Sequence, residues 1–563
     1  MRTGRHFVDL LTRAVRLFPH KIAVYDVSHH PACPDPHQFS WKEVYSRVCR
    51  AAAVLRDAGV ADGDRVAVLA RNCHQYFEAY FAVPLAGGIL VPLNFRLADE
   101  ELMACLQESE PQVLLCDARN LERASSLSSS APSVQKIYCI DDVGWEQRLD
   151  EVGWERRVAE VGWERRLADA APQGVVAKGP GPDRYSSASD ENAAVGIFYT
   201  GGASGDPKGV VLTHRNLYDA AVQIALAMGY REDDVYIHCG PMFHLADGAG
   251  SFATTLCGGA HVFVPSFEPG VVLESIQRYG VTTMTLVPTM YKMLLDSGDF
   301  HPSKLSSLKR AFFSAAPMPE AMLRELVERL PCGIGQGYGM TETSSRISVM
   351  DPSVYRAILA GEDCRTHLLR SAGREIPGLE VRIGDVDRAL GPGEVGEILV
   401  RGTTVMREYW RKPKETAEAL SGGWMHTGDL GFKDEEGFLY VVDRKKDMIV
   451  SGGENVYSLE VENWLVEHEA VAEASVIGVP DELWGERVHA VVVTKPGRRV
   501  TEAELRRFLK QHIAGYKVPK SFEFRSELPR TAAGKVRKDL LKQEAAKRQL
   551  PTIELEGDLA LGR

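Results

Sequence analysis

Two hydrophobic periods alternate along the first third of the chain, and this alternation narrows the fold more than any other feature. In "FSWKEVYSRVCRAAAVLRDAG", Trp41, Val44, Val48, Ala51 and Leu55 recur at helical spacing. Ser40 and Glu43 are placed as a capping box, and Gly59 is a stop. "GDRVAVLARN" then reads as a buried strand, "YFEAYFAVPLAGG" as a helix, and "PQVLLCDA" as another short apolar run bounded by turn formers. Alternation of this kind predicts an α/β class with parallel sheet content.

At 563 residues the chain exceeds one ordinary core, so two or more domains are expected. The character changes near residue 443. "GFLYVVDRKKDMIVSGGENVYSLEVENWLVEHEAV" passes from strand through a charged, glycine-containing turn into an amphipathic helix. "SVIGVPDELWGERVHAVVVTKPG", a helix near 501–513 and a basic stretch at 535–548 follow. Together they make a unit of about 110 residues, the size of a small α+β domain. The predicted division is a large domain over 1–443, a hinge at 444–446, a small domain over 447–548 and a tail at 549–563.

Residues 143–169 read "VGWEQRLDE", "VGWERRVAE" and "VGWERRLAD", a nine-residue repeat in three copies. Nine residues make two and a half helical turns, so Trp145, Trp154 and Trp163 would fall on opposite faces of a continuous helix. The glycine in each copy weakens such a helix further. The repeat is therefore expected to be a duplicated surface insertion without a catalytic role.

The balance of 44% hydrophobic and 25% charged residues is that of a soluble globular protein. A formal charge of −11 argues against nucleic acid as a partner, since phosphate backbones want a basic face. None of the ten cysteines is spaced C-x-x-C, which favours buried thiols in a reducing compartment. The N-terminus lacks a signal-peptide core, and no segment reaches the ~18 apolar residues of a membrane span. A cytoplasmic protein is expected.

Four segments carry chemistry. "FYTGGASGDPKGVVLTHRNL" sets Thr200, Gly201, Gly202, Ser204, Gly205 and Lys208 in a loop whose amides can line an anion site. It is not a Walker A loop, because no Ser or Thr follows the lysine directly. Composition alone fits a glycine-rich surface turn equally well. "GQGYGMTETSS" places Gln336, Gly337, Tyr338 and Gly339 before Thr341 and Glu342. Glycines admit a flat ring, an aromatic stacks on it, a hydroxyl reaches a phosphate oxygen, and a carboxylate suits Mg²⁺. A strand-to-helix turn capped by Thr341 would look the same. "GWMHTGDLGFKDEEGFLYVVDRKKD" offers Asp429 to accept from two ribose hydroxyls, with Arg444 a strand later. "LPRTAAGKVRKDLL" puts Lys535 in a small-residue loop ahead of a helix, as a surface charge or an anion ligand.

In this order, the four segments resemble the adenylate-forming superfamily of acyl-CoA synthetases, firefly luciferases and nonribosomal peptide adenylation domains. The likeness runs from about residue 5 to 548. "VPLNFRL", "DRKKDMIVSGGENVYSLEVE" and "LPRTAAGKV" lean toward fatty-acyl and aryl (4-coumarate type) CoA ligases. The resemblance implies a large N-terminal domain of layered α/β subdomains, a small mobile α+β C-terminal domain, and use of ATP, Mg²⁺ and coenzyme A.

By the same match, the first loop would hold the β- and γ-phosphates of ATP. Gly201 and Ala203 stand where the family has Ser and Thr, so two hydroxyl donors are lost. ATP binding is expected to survive on the amides, Thr200, Ser204 and Lys208. Thr341 would contact the α-phosphate and Glu342 would bind Mg²⁺. Ser314, Ala315, Ala316 and Pro317, with Gln336–Tyr338, would flank adenine. Asp429 and Arg444 would hold ribose, with Lys446 at the hinge, and Lys535 would bridge the substrate carboxylate and the α-phosphate. Gly452 and Gly453 of "SGGEN" would let pantetheine pass.

His244 matches a position gating the acyl site, although a lone histidine among apolar residues is more often a packed core residue. Ala246, Gly248, Ala249 and Gly250 are small, which suggests a roomy apolar pocket for a bulky carboxylic acid. The implied activity is acid–CoA ligation through acyl-AMP, with release of pyrophosphate and then AMP. Transfer to an acyl carrier protein or an amine is the alternative acceptor chemistry, and a homodimer is kept among the partners. A non-catalytic homologue is the competing class; retention of Lys208, Thr341, Glu342, Asp429 and Lys535 speaks against it.

Overall fold

Short β-branched and aliphatic runs separated by amphipathic helices assemble in the first unit as two large, mostly parallel sheets. The computed structural model describes residues 5–27, 37–151, 190–200, 207–316, 318–481, 484–530 and 536–547. These divide into two compact units. One comprises Met1–Pro392, Leu399–Thr427 and Lys433–Tyr440, the other Gly393–Ile398, Gly428–Phe432 and Val441–Arg563.

One sheet of the first unit has seven strands, in the order Glu408–Tyr409, Lys208–Thr213, Ala194–Thr200, Ile89–Pro92, Arg65–Leu69, Val113–Cys116 and Lys136–Cys139. The Arg65, Ile89, Val113 and Lys136 strands pair in parallel, as the alternation predicts. Val91, Leu114, Cys116 and Ile197 from this sheet pack with Leu102, Cys105, Leu106 and Leu127 from covering helices. The second sheet has nine strands. Its centre, Gly333–Tyr338, Arg310–Ser314, Thr283–Leu286, Val235–His238, Ala260–Phe263 and Ile22–Asp26, is parallel throughout.

Helix Trp41–Asp57 starts at the capping box read from sequence. Ser40 N–H donates to Glu43 Oε2 at 2.7 Å, and Glu43 N–H donates to Ser40 Oγ at 3.4 Å. Its buried stripe includes Trp41, Val44, Val48, Ala51 and Leu55.

The first nonapeptide copy is not a surface insertion, contrary to the expectation. Val143–Glu151 is a helix that buries Trp145 and Leu149. Glu146 accepts two 2.7 Å hydrogen bonds from the buried Arg47 guanidinium, and Asp150 accepts one from Arg50 at 2.7 Å. Glycine propensity is outweighed here because one large aromatic and a bidentate ion pair dock the helix onto Trp41–Asp57. Residues 152–169, with Trp154 and Trp163, lie outside the described residues.

The second unit is α+β. Val471–Asp481 and Gly485–Thr494 form a long antiparallel pair, Ser521–Arg525 joins in parallel, and Ile449–Ser451 and Glu454–Val456 complete the sheet. Helices Ser458–Glu467 and Glu502–Lys510 supply Val461, Leu465, Leu505 and Leu509 to its core. Lys538, at the start of the last helix, places its ammonium 2.7 Å from Glu462 and 2.5 Å from Ser458 Oγ.

Candidate active site

The glycine-rich loop joins two antiparallel strands, Ala194–Thr200 and Lys208–Thr213. Thr200 and Lys208 are register partners that close its base, and Thr200 Oγ1 donates to the Lys208 carbonyl at 3.5 Å. Gly201, Gly202, Ser204 and Gly205 of the loop lie outside the described residues, as do Pro317 and Lys535. A two-residue strand, Glu408–Tyr409, pairs on the free side of Lys208–Thr213, with Tyr409 opposite Val210. At two residues this strand is too short to show a hydrophobic period in the sequence.

Around it the Lys208–Thr213 strand meets the Thr341–Glu342 turn. Tyr409 is buried, and its hydroxyl donates to Glu342 Oε1 at 2.8 Å. The Lys208 ammonium sits 5.0 Å from the centre of the same ring. Met406 N–H donates to the Glu342 carbonyl at 2.7 Å, and Ser344 Oγ donates to the Thr404 carbonyl at 2.7 Å. Burial and then the Glu342 charge push the Tyr409 phenol well up, so it stays a donor.

Thr341 and Glu342 lie on a single 3-10 turn, with Thr341 half-buried and Glu342 buried. Ser344 (φ 55°) and Ser345 (φ 107°) follow in left-handed backbone. Two such residues in succession cost on the order of 1–3 kcal/mol each and persist only where their surroundings over-determine them. Here Thr343 and Ser345 N–H both donate to the Met340 carbonyl.

The two segments expected at adenine are adjacent. Arg310–Ser314 and Gly333–Tyr338 run in parallel with Ser314 opposite Gly337, so Ser314 and Tyr338 both stand at carboxyl ends of parallel strands. Ligands of open α/β sheets collect at such ends. Ala315 (φ 70°) and Ala316 are exposed beyond that end, and the Gln336 carboxamide accepts from Tyr355 OH at 3.0 Å. Gly337 and Gly339 make room for protein as well: a Cβ on Gly337 would lie 2.5 Å from Arg346 Nε, and one on Gly339 would lie 1.9 Å from the Ser345 carbonyl oxygen.

His244 is half-buried at the start of helix Leu245–Cys257, with its ring 4.5 Å from that of Phe243. The small residues beyond it do not open a cavity as expected. A Cβ on Gly248 would meet Tyr80 OH at 3.2 Å, and one on Gly250 would meet the Tyr236 ring at 2.6 Å. Ala249 belongs to a core cluster with Tyr236 and Phe312. These residues are small because the helix packs closely, and only Ala246 of the four is partly exposed.

Beneath the helix runs a buried polar chain that the sequence did not reveal. His238 Nδ1 is 2.7 Å from Asp247 Oδ2, and His238 Nε2 is 3.0 Å from His261 Nδ1. Two histidines inside apolar strands, in "VYIHCG" and "AHVFV", were the available signal.

In the second unit Asp429 and Arg444 are together: the Arg444 guanidinium lies 3.1 Å from Asp429 Oδ1, with Asp429 buried and Arg444 half-exposed. Burial lowers the Lys446 ammonium pKa, and the Lys446 carbonyl accepts from Lys542 at 3.3 Å. Gly452 (φ 63°) and Gly453 (φ 86°) form the turn between Ile449–Ser451 and Glu454–Val456. A Cβ on Gly452 would meet the Trp484 ring at 2.8 Å, whereas Gly453 faces open space. Only Gly453 leaves room for a passing ligand on that side.

Among the described residues no cluster of three His, Cys, Asp or Glu side chains could hold a metal. Mg²⁺ is commonly bound by one or two carboxylates together with substrate phosphates. Glu342, a hard oxygen donor with one oxygen already anchored by Tyr409, fits such a role. No helix among the described residues is long and apolar enough to cross a membrane.

Comparison with known proteins shows the family. The AMP-binding enzyme family matches residues 11–410, and its C-terminal domain family matches residues 460–535. A feruloyl-CoA synthase from an Amycolatopsis species is 36% identical over 536 residues, covering 93% of this chain and 96% of its own. A fatty acid–[acyl-carrier-protein] ligase from Streptomyces coeruleorubidus is 31% identical over 91% of this chain and 93% of its own. An o-succinylbenzoate CoA synthetase from Bacillus subtilis, solved with its acyl-adenylate intermediate, superposes with a TM-score of 0.77. It is 31% identical, and the match covers 95% of this chain and 97% of that one. The chain belongs to the AMP-binding enzyme family, as an adenylate-forming acid–CoA ligase that uses ATP, Mg²⁺ and coenzyme A.

Proposed function

We propose that this enzyme activates a bulky, largely apolar carboxylic acid, aromatic acids foremost, and passes the acyl group to coenzyme A. The observation that carries the site reading is the meeting of Lys208 and Glu342 on one side chain, Tyr409. The contact supports reading Lys208 as the phosphate cation and Glu342 as the metal carboxylate, on two segments that the family resemblance connects with ATP. The aromatic preference rests on the feruloyl and succinylbenzoate relatives, not on the small residues of helix Leu245–Cys257, which are used up in packing.

In the first half-reaction a carboxylate oxygen of the acid attacks the α-phosphorus of ATP. The bond to the bridging oxygen breaks, and pyrophosphate leaves. Charge resists this approach of two anions, so cationic groups at the phosphates lower the barrier. Lys208 and Thr200 would receive the leaving phosphates and Thr341 the α-phosphate. Lys535 would bridge the acid and the α-phosphate. Glu342 would hold Mg²⁺, which neutralises phosphate charge when bound. Gln336–Tyr338 and Ser314–Ala316 would flank adenine, and Asp429 with Arg444 would hold ribose.

In the second half-reaction the thiol of coenzyme A loses its proton and its sulfur attacks the acyl carbonyl, displacing AMP. His244 would border the acyl site, Gly453 would border the pantetheine arm, and Lys446 would be the turning point between the two half-reactions. A cytoplasmic setting belongs to the same reading, supported by the free cysteines Cys49, Cys73, Cys105 and Cys116, all buried. Transfer to a carrier-protein thiol is the second reading, favoured by the carrier-protein ligase among the relatives.

Pyrophosphate release measured across hydroxycinnamates, aryl acetates, medium-chain fatty acids and malonate, with and without coenzyme A, tests the reading. Acid-dependent pyrophosphate with matching AMP and acyl-CoA is expected, strongest for an aromatic acid. Pyrophosphate that forms without consuming coenzyme A would shift the acceptor to a carrier thiol, and none with any acid would sink the activity.

A further inference from the structure

We infer that Tyr409 is a positioning residue for the ATP site, holding the Glu342 carboxylate and the Lys208 ammonium in one fixed arrangement. The inference rests on the reading of Glu342 as the Mg²⁺ ligand and Lys208 as the phosphate cation. Its basis is geometric. The Tyr409 hydroxyl donates to Glu342 Oε1 at 2.8 Å, which restrains the orientation of the carboxylate that would meet the metal. The ring face meanwhile carries the Lys208 ammonium at 5.0 Å, a cation–π distance.

The ring is carried on a backbone held in a strand. Tyr409 pairs with Val210, Glu408 pairs with Val211, and Trp410 N–H donates to the Gly209 carbonyl at 2.7 Å. The same segment grips the Glu342 turn by two further hydrogen bonds, Met406 N–H to the Glu342 carbonyl and Ser344 Oγ to the Thr404 carbonyl. Residues 404–410 thus tie together two phosphate-site segments that lie more than a hundred residues apart in sequence.

The ring also supplies order that a salt bridge would not. Lys208 and Glu342 carry opposite charges, and direct pairing would neutralise both before ATP arrived. The aromatic face holds the lysine without consuming its charge, since a ring face is a weaker partner than a phosphate.

Two substitutions separate the two contacts. Tyr409→Phe removes the hydroxyl and keeps the ring; Tyr409→Ala removes both. Binding is read directly, with Mn²⁺ in place of Mg²⁺ counted by electron paramagnetic resonance in the presence of a non-hydrolysable ATP analogue. Binding of the analogue alone, without metal, is followed by calorimetry. For Tyr409→Phe the expected result is Mn²⁺ binding weakened about tenfold, in line with loss of one hydrogen bond to a charged group, and metal-free analogue binding within about twofold of wild type. Tyr409→Ala should weaken both.

Unfolding midpoints show which variants fold, and Tyr409→Phe carries the test if Tyr409→Ala does not. Wild-type Mn²⁺ affinity in Tyr409→Phe overturns the inference. Glu342→Gln is the control on the underlying reading: if it too binds Mn²⁺ like wild type, the metal assignment of Glu342 has failed rather than the role of Tyr409.

Discussion

Gly250 shows how one residue can be read two ways from sequence. In the run "HLADGAGS" its small size suggested a cavity, yet an added methyl would stand 2.6 Å from the Tyr236 ring. The ring has little room to retreat. It is fully buried, and its hydroxyl donates to Asp247 Oδ1 at 3.3 Å. Gly250→Ala should therefore destabilise the protein by about 1–3 kcal/mol, the usual cost of overpacking, without altering the ranking of acid substrates. Thermal unfolding and a competition assay between two acids check it; unchanged stability with a shifted ranking would restore the cavity. A residue's size can be read from sequence, but the direction in which its missing atoms would point cannot. The same limit explains Tyr409, whose importance lies in partners at Glu342 and Lys208 that no local pattern connects.

At the scale of elements, local signals were legible and docking was not. The Ser40–Glu43 box, the Val113–Cys116 strand and the parallel pairing of the first sheet follow from hydrophobic period and capping chemistry. The helix Val143–Glu151 does not, because its glycine and its repeat period argue against it while long-range partners argue for it. Arg47 is the deciding partner. It is buried with Glu78 on one side and completes its hydrogen bonding with Glu146 on the other. Releasing the helix would expose Trp145 and leave that guanidinium under-satisfied. In a chain lacking Val152–Ala170, so that no further copy is present, Trp145→Ala should cost about 3–5 kcal/mol. The deletion alone should leave turnover near wild type. Urea denaturation of both proteins makes the comparison. A Trp145→Ala cost below about 1 kcal/mol would return the first copy to the status of a surface appendage.

At the scale of the whole molecule, buried histidines are expected to contribute to the response to acid. In the first unit, burial and then the nearby His6 charge lower His214 to about 4, and burial with His238 lowers His261 well below its ordinary value. In the second unit burial lowers His489 to about 4. Each is neutral when folded and titrates near 6.5 when unfolded, so the unfolded chain binds more protons below that pH. The stability they contribute is complete above about pH 6.5 and is lost as pH falls toward about 4. The slope within that window is about 1.4 kcal/mol per pH unit for each fully shifted group. Glu462 opposes this in the second unit, because burial raises its pKa and lets the folded state take up a proton above the ordinary carboxylate range. The first unit, with His214 and His261 both lowered among the described residues, is therefore expected to be the more acid-sensitive of the two. Calorimetric scans at pH 7.5 and pH 5 should show a lowered transition temperature. His214→Gln, which keeps an acceptor for the Phe7 N–H that now donates to His214 Nδ1 at 3.4 Å, should reduce the drop. Equal drops in wild type and His214→Gln would mean that the acid response arises elsewhere, since losing a lowered histidine must flatten the slope if such histidines govern it.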